Sequence, residues 1–225
     1  KAEREFAQAG DQRSRATALH VLAEVWAWTG DYAAARRAAR EARAFFVSHG
    51  FVLSNADAIL SLATVEMLAL DYGTAHDLVA EAIEIYGAHD VPLGLARSYT
   101  MLGEIAARQT DPDVALGFFG QAEPLWHTLE NPAGDTRRLS AQADAHRRRG
   151  ELQRAEDEIN EALAAFENLG HRLGEAVALR RLGRLQRQMG RLSSAVATYH
   201  RSADLFRVLG ATHEVRRTLD ELGLR

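Results

Sequence analysis

The chain has 225 residues, 47% of them hydrophobic, and a formal net charge of −4. That composition excludes a disordered segment, and no apolar run approaches the ~20 residues that a membrane helix needs. With no cysteine, disulfides and thiolate metal sites are excluded, which fits a reducing cytoplasm.

Taken in order, the chain reads as helices punctuated by turns. Residues 1–10 read as the end of a second helix whose partner is missing, because Ala2, Phe6 and Gly10 sit 40 positions before Ala42, Phe46 and Gly50. Repeat one covers residues 11–50 and turns at Gly30-Asp31-Tyr32, where glycine ends one helix and aspartate caps the next. Repeat two, 51–90, turns at Asp71-Tyr72. Repeat three, 91–130, opens at Pro92 and turns at Asp111-Pro112, with proline suited to a first helical turn. Pro124 lies well inside its second helix, four residues after Gly120, and predicts a kink there. Repeat four, 131–170, starts at Asn131-Pro132 and carries Gln142 and His146 at otherwise apolar or small positions. Repeat five, 171–210, turns at Met189-Gly190-Arg191, and 211–225 begins a sixth. The register thus predicts a piece of a longer array.

Five series hold this step of 40 without an insertion. Ala35, Ala75, Ala115, Ala155 and Ala195 open the second helices, and Ala42, Ala82, Ala122, Ala162 and Ser202 follow one face further along. Phe46, Tyr86, Trp126, Phe166 and Phe206 form an aromatic series. Leu22, Leu62, Leu102 and Leu182 recur in the first helices, each followed by a small residue: Ala23, Ala63, Gly103 and Gly183. Small residues let the helices of a hairpin approach to ~8–10 Å. The rings then fill the gap against the next hairpin, and truncating one to alanine costs roughly 3–5 kcal/mol. The predicted fold is all-α, a superhelix of five helix–turn–helix repeats with half-repeats at both ends.

Helix pairs with these small positions resemble tetratricopeptide repeats (TPR). The resemblance rests on Leu102-Gly103, Leu182-Gly183, the turn Gly30-Asp31-Tyr32 and the two alanine series, and it covers essentially the whole chain. The usual unit is ~34 residues, so the longer period implies longer helices or looser connections. Units closing with Phe-x-x-Leu-Gly, at Phe166–Gly170 and Phe206–Gly210, are similar in style to sensor arrays of large bacterial regulators, of the LuxR type and the antibiotic-pathway activators. Basic residues that are almost all arginine, with Lys1 the only lysine, also fit a high-GC bacterial gene.

No phosphate loop, His-Glu-x-x-His or Gly-x-Ser-x-Gly occurs, so neither catalytic nor metal residues nor a cofactor is assigned and no enzyme is expected. The resemblance implies that the first helices line the inside of the superhelix and bind there. Read down that register, the early repeats offer Trp28, Leu60, Met67 and Leu68, whereas the later ones offer Arg97, Arg108, Arg137, Arg147, Arg148, Arg180, Arg184 and Arg187, with Glu104 and Asp144 among them. Guanidinium pairs with carboxylate through two parallel hydrogen bonds. The expected partner is therefore a protein or peptide, acidic where it meets the arginines, or another domain of the same polypeptide. The alternative is that Glu104 and Asp144 already neutralise the row. The reading placed first is a sensory or interaction domain of a bacterial transcription regulator. Behind it stand a free-standing scaffold or peptide receptor, and then nucleic-acid binding, which the net charge and the lack of aromatics between the arginines disfavour. No membrane partner is expected.

Overall fold

The computed structural model describes residues 11–109 and 111–223. Within them the chain forms eleven helices: α1 (Gln12–Thr29), α2 (Tyr32–Ser48), α3 (Val52–Leu68), α4 (Tyr72–Ala88), α5 (Pro92–Gln109), α6 (Pro112–Thr128), α7 (Pro132–Arg149), α8 (Leu152–Asn168), α9 (Arg172–Gln188), α10 (Leu192–Val208) and α11 (Thr212–Asp220). The expectation drawn from Ala2, Phe6 and Gly10 lies outside the described residues.

Each helix begins 20 residues after the last, at 12, 32, 52 and so on to 212. The 40-residue unit is therefore two equal halves, each a helix of 17 or 18 residues and a short turn. Longer helices, not looser connections, account for the long period. The turns explain the punctuation. Gly30, Gly50, Gly150, Gly170, Gly190 and Gly210 all have positive φ, and Leu70, Asp90 and Glu130 take the same left-handed conformation at the intervening steps. The next helix is then capped where the sequence allows it. Asp31 accepts from Ala34 N at 3.0 Å, Asp71 from Thr74 N at 3.1 Å and Asn131 from Gly134 N at 2.9 Å.

Two compact units divide the chain, residues 1–98 and 99–225, and the division falls within α5. In the first unit α1 pairs with α2 and α3 with α4, and α3 packs against both α1 and α2. In the second, α7 pairs with α8 and α9 with α10, and the first helices α7 and α9 lie side by side. One buried cluster joins Ala106 and Ala107 of α5, Ala115 and Phe119 of α6, and Ala141 and Ala145 of α7.

The small residues sit where a ring needs their space. A Cβ added at Gly103 would lie 2.4 Å from the Phe119 ring, and one at Gly183 would lie 3.0 Å from that of Tyr199. The aromatic series does fill the gap to the following hairpin. Trp126 packs on Gly134 and Phe166 on Gly174 so closely that an added Cβ would fall 2.3 Å and 2.5 Å from the rings. Pro124 leaves α6 unbroken as far as Thr128. Both Pro124 and Gly120 are exposed, so water can satisfy the carbonyl that loses its donor.

Candidate functional site

In the first unit the apolar residues read as an anchor turn inward to the core. Leu60 is fully buried, and Met67 and Leu68 nearly so, while Trp28 is half-buried at the end of α1. Leu60, Met67 and Leu68 therefore pack the unit and offer a partner almost no surface. The polar neighbours are paired with one another: Ser61 and Tyr86 are buried, and His20, Glu24, Asp57 and Arg97 are partly exposed. Ser61 donates to Glu24 Oε1 at 2.9 Å and lies 3.2 Å from His20 Nδ1. Asp57 accepts from the Tyr86 hydroxyl at 2.8 Å and from Arg97 at 3.2 Å.

The second unit holds the remaining arginines and a chain of buried charge. Glu104 of α5 is engaged at both oxygens, by Arg137 of α7 at 2.8 Å and by Arg181 of α9 at 3.0 Å. One carboxylate thus ties three successive first helices. Burial alone would discourage its ionisation, but Arg137 and Arg181 outweigh that and hold its pKa at about 2. Asp144 of α7 accepts from Arg147 Nε at 2.8 Å. Buried likewise, it is held at about 2 by Arg147, Arg184 and Arg181.

Further along the row the arginines meet α11 and the residues just after it. Arg180 pairs with Glu214, both inaccessible to solvent, and burial pulls the guanidinium down to about 10 despite that partner. Its guanidinium carbon also lies 5.1 Å from the centre of the Phe206 ring. Arg184 forms two hydrogen bonds to Glu221, at 2.7 and 2.5 Å, which raise its pKa against the effect of burial. Two arginines cap carbonyls of a neighbouring segment: Arg148 donates to Ala107 O, and Arg187 to Glu221 O at 2.5 Å.

Neighbouring carboxylates therefore neutralise much of the row. Among the described residues Arg148 and Arg187 meet carbonyls instead, and Arg108 stands apart. It lies one helical turn after Glu104, the spacing at which Glu and Arg normally pair. Both oxygens of Glu104 are already taken, and among the described residues Arg108 makes no hydrogen bond or ion pair while staying partly exposed. Arg137 is also half-exposed, at 48% of its side chain.

Two of the most buried arginines escaped the sequence reading. Arg181 hydrogen-bonds Ser140 at 2.9 Å as well as Glu104. Arg138 is held by Asp135 at 2.7 Å, Gln142 at 2.7 Å and Glu123 at 3.1 Å. A signal was available in the register, since Arg138 occupies the position of Ala58, Ser98 and Ala178, all fully buried. The irregular Gln142 and His146 also share a partner, the partly exposed Glu158, which lies 3.0 Å from the amide nitrogen and 2.6 Å from His146 Nδ1.

Among the described residues no group of three or more His, Asp or Glu could hold a metal ion, and no helix is long and apolar enough to cross a membrane.

Residues 136–207 match the tetratricopeptide repeat family. No curated protein matches the sequence. Among solved structures the chain is similar to the apo form of RapI, at 13% identity and a TM-score of 0.68, over 97% of this chain and 89% of that one. It is similar to a Rap protein complexed with Competence and Sporulation Factor, at 14% identity and a TM-score of 0.69, over 98% and 66% of the two chains. A third likeness is to a signal transduction ATPase with numerous domains from Pyrococcus horikoshii that has a tetratricopeptide repeat sensor. There the identity is 14%, the TM-score 0.66 and the coverage 96% of this chain but only 33% of that one. Likeness at such identities is a likeness of fold. The fold of this chain is an all-α array of TPR-like helical hairpins.

Proposed function

We propose that the chain is a sensory or interaction module of a bacterial transcription regulator, acting in the cytoplasm. It binds a protein or peptide segment, or another domain of its own polypeptide, along the first helices of the second unit. The role is binding, not catalysis. Two of the similar structures support this reading by their own contents, since one is complexed with Competence and Sporulation Factor and another belongs to a signalling ATPase with a repeat sensor.

The observation that carries the proposal is the unpaired guanidinium of Arg108 beside the half-exposed Arg137, at a place where both oxygens of Glu104 are already engaged. The surplus positive charge on this face selects a carboxylate-bearing segment. The proposed face comprises Arg108 and Arg137 first, then Arg147, Arg148 and Arg187, whereas Arg180 and Arg184 lie beneath partners of the chain itself. The probe is a fluorescein-labelled hexapeptide of alternating Glu and Leu with a free carboxylate, followed by fluorescence anisotropy. Arg108→Ala should weaken binding by about ten-fold, the loss of one charge-assisted hydrogen bond. Equal binding of the same peptide with Lys in place of Glu, or an unchanged affinity in Arg108→Ala, would sink the proposal.

A further inference from the structure

Each second helix keeps one side clear of its neighbours. The positions exposed at Arg37 and Arg40 in α2 are exposed again at Gly117 and Gly120 in α6, at Asp157 and Asn160 in α8 and at Ala197 and His200 in α10. Exposure there belongs to the place in the repeat. In the first unit this outward side carries charges of both signs, one sign to a helix. Arg37 and Arg40 stand on α2, and Asp77 and Glu84 on α4. All four are exposed, Asp77 to 87% of its side chain. Among the described residues Arg37, Arg40 and Glu84 make no side-chain hydrogen bond or ion pair, and Asp77 meets its sequence neighbour His76 at 3.4 Å. Other charges nearby are neutralised within the chain: Arg36 by Glu66, Glu41 by Arg15 and Glu81 by Arg43. The last of these pairs, at 2.5 Å, joins α2 to α4, and both helices pack on α3. The remaining outward positions are small. Ala33, Ala44, Gly73 and Gly87 are exposed, and Ala80 is partly so.

We infer that this side of the first unit is a self-association surface, and that its occupant is a second copy of the same chain. Charge complementarity selects that occupant. One helix presents two unpaired cations and its neighbour two unpaired anions, so the surface is its own complement. A two-fold axis running along the helices, between α2 and α4, lays α2 of each copy over α4 of the other and makes both contacts identical. In the 40-residue register Arg37 then lies opposite Asp77 of the second copy, and Arg40 falls about one turn from both Asp77 and Glu84. The alanines and glycines between them let the helices approach. The second unit has no such surface, because the same positions are Gly117, Gly120 and Pro124 in α6, Asp157, Asn160 and Ala164 in α8, and Ala197, His200 and Asp204 in α10. Size sets the strength. A helix of 17 residues is ~25 Å long and ~10 Å wide, so the two give a footprint of roughly 500 Å² on each copy. The total of roughly 1,000 Å² is the lower limit for a specific interface. The association is therefore weak, and its exposed charges make it sensitive to salt.

Sedimentation equilibrium of the 225-residue chain tests this. In about 50 mM NaCl the mass should climb with concentration from 24.8 kDa towards twice that value, and about 0.5 M NaCl should return it to the monomer. Arg37→Glu with Arg40→Glu in one variant, and Asp77→Arg with Glu84→Arg in another, should each abolish association at low salt. Circular dichroism of both should show unaltered helix, since every substituted group is exposed. Mixing the two variants should restore association to at least about ten-fold above either alone, because each then meets opposite charge at both contacts. That rescue cannot come from an effect on folding. A monomer at low salt, association that survives either charge reversal, or no rescue on mixing would overturn the inference. So would species beyond the dimer that grow with concentration, the mark of an open head-to-tail contact between α2 and the acidic outward side of α8. None of the four residues belongs to the arginine face of the second unit, so peptide binding at Arg108 is decided separately.

Discussion

Helices α3 and α7 occupy the same place in their repeats and fill it with opposite chemistry. Leu60 and Ala58 in α3 become Ser140 and Arg138 in α7, and Leu62 becomes Gln142, yet all but the partly buried Gln142 are buried. Burial is thus assigned by position in the 40-residue register and not by the polarity of the side chain. What differs is the requirement for partners. An apolar residue in α3 needs only close packing, whereas each polar one in α7 needs a hydrogen-bonding or charged neighbour, on its own helix or on another. Arg138 finds Asp135, Glu123 and Gln142, and His146 finds Glu158.

The largest expected effect comes from removing a shared partner in the second unit. Glu104→Ala leaves Arg181 buried with Ser140 as its hydrogen-bond partner, and should destabilise by about 3–5 kcal/mol. Leu60→Ala, in the apolar counterpart, should cost about 2–5 kcal/mol through the cavity it leaves. The two losses differ in how they can be repaired. Glu104→Leu combined with Arg181→Met should recover most of the first, since two apolar groups need no partner. Urea unfolding of the three variants beside the unaltered chain checks this, and a double variant no more stable than Glu104→Ala would show that packing, not ionic pairing, carries the contact.

Acid should discriminate the two chemistries next. Glu104 and Asp144 are each held at about 2 in the folded chain, against ordinary values of 4.5 and 3.8. Their folded pKa values are depressed, so the stability they contribute is complete above about pH 4.5 and is lost as pH falls through about 2. A shift of this size corresponds to roughly 3 kcal/mol for one such group, and the two share Arg181, so their contributions are not additive. The urea midpoint should be level from pH 7 to pH 5 and then decline. Glu104→Gln combined with Asp144→Asn should flatten that decline, and a slope unchanged in this variant would remove these carboxylates from the account.

The contrast also explains what could be read in advance. The hairpins, the glycine turns, the Asp and Asn caps and the packing of the aromatic series all follow from local rules that repeat, so they were legible residue by residue. The 20-residue half-period was not, because Leu70, Asp90 and Glu130 stand where glycine would have marked it. The candidate face was legible only as a composition. Leu60 looked like an available anchor because one helix viewed alone cannot show that a neighbour covers its edge. Arg181 shows the converse, since an arginine reads as surface unless its position is compared with the buried Ser61 and Ala141. The sequence groups Arg108 with the other arginines, and nothing in it shows that Glu104 is taken by two partners more distant in the chain.

The smallest effect concerns those left-handed turn residues, and it sharpens the comparison because it separates backbone from packing. Leu70 has φ 68° and Glu130 φ 47°, at steps where Gly150, Gly170 and Gly190 serve elsewhere. The left-handed region costs a residue with a Cβ about 1–2 kcal/mol. Glycine removes that strain but makes the unfolded chain more flexible, which returns about 0.5–1 kcal/mol. Leu70 is 55% exposed, so its side chain gives up little packing. Leu70→Gly and Glu130→Gly should each gain up to about 1 kcal/mol, or roughly 2–4 °C in Tm. Asp90→Gly should gain less, because aspartate tolerates this conformation better. The reverse change is the control: Gly150 has φ 89° and open space around a Cβ, so Gly150→Ala can lose stability only through its backbone. A gain from Gly150→Ala would mean that the turn relaxes out of the left-handed region, and that the strain assigned to Leu70 and Glu130 is not stored there.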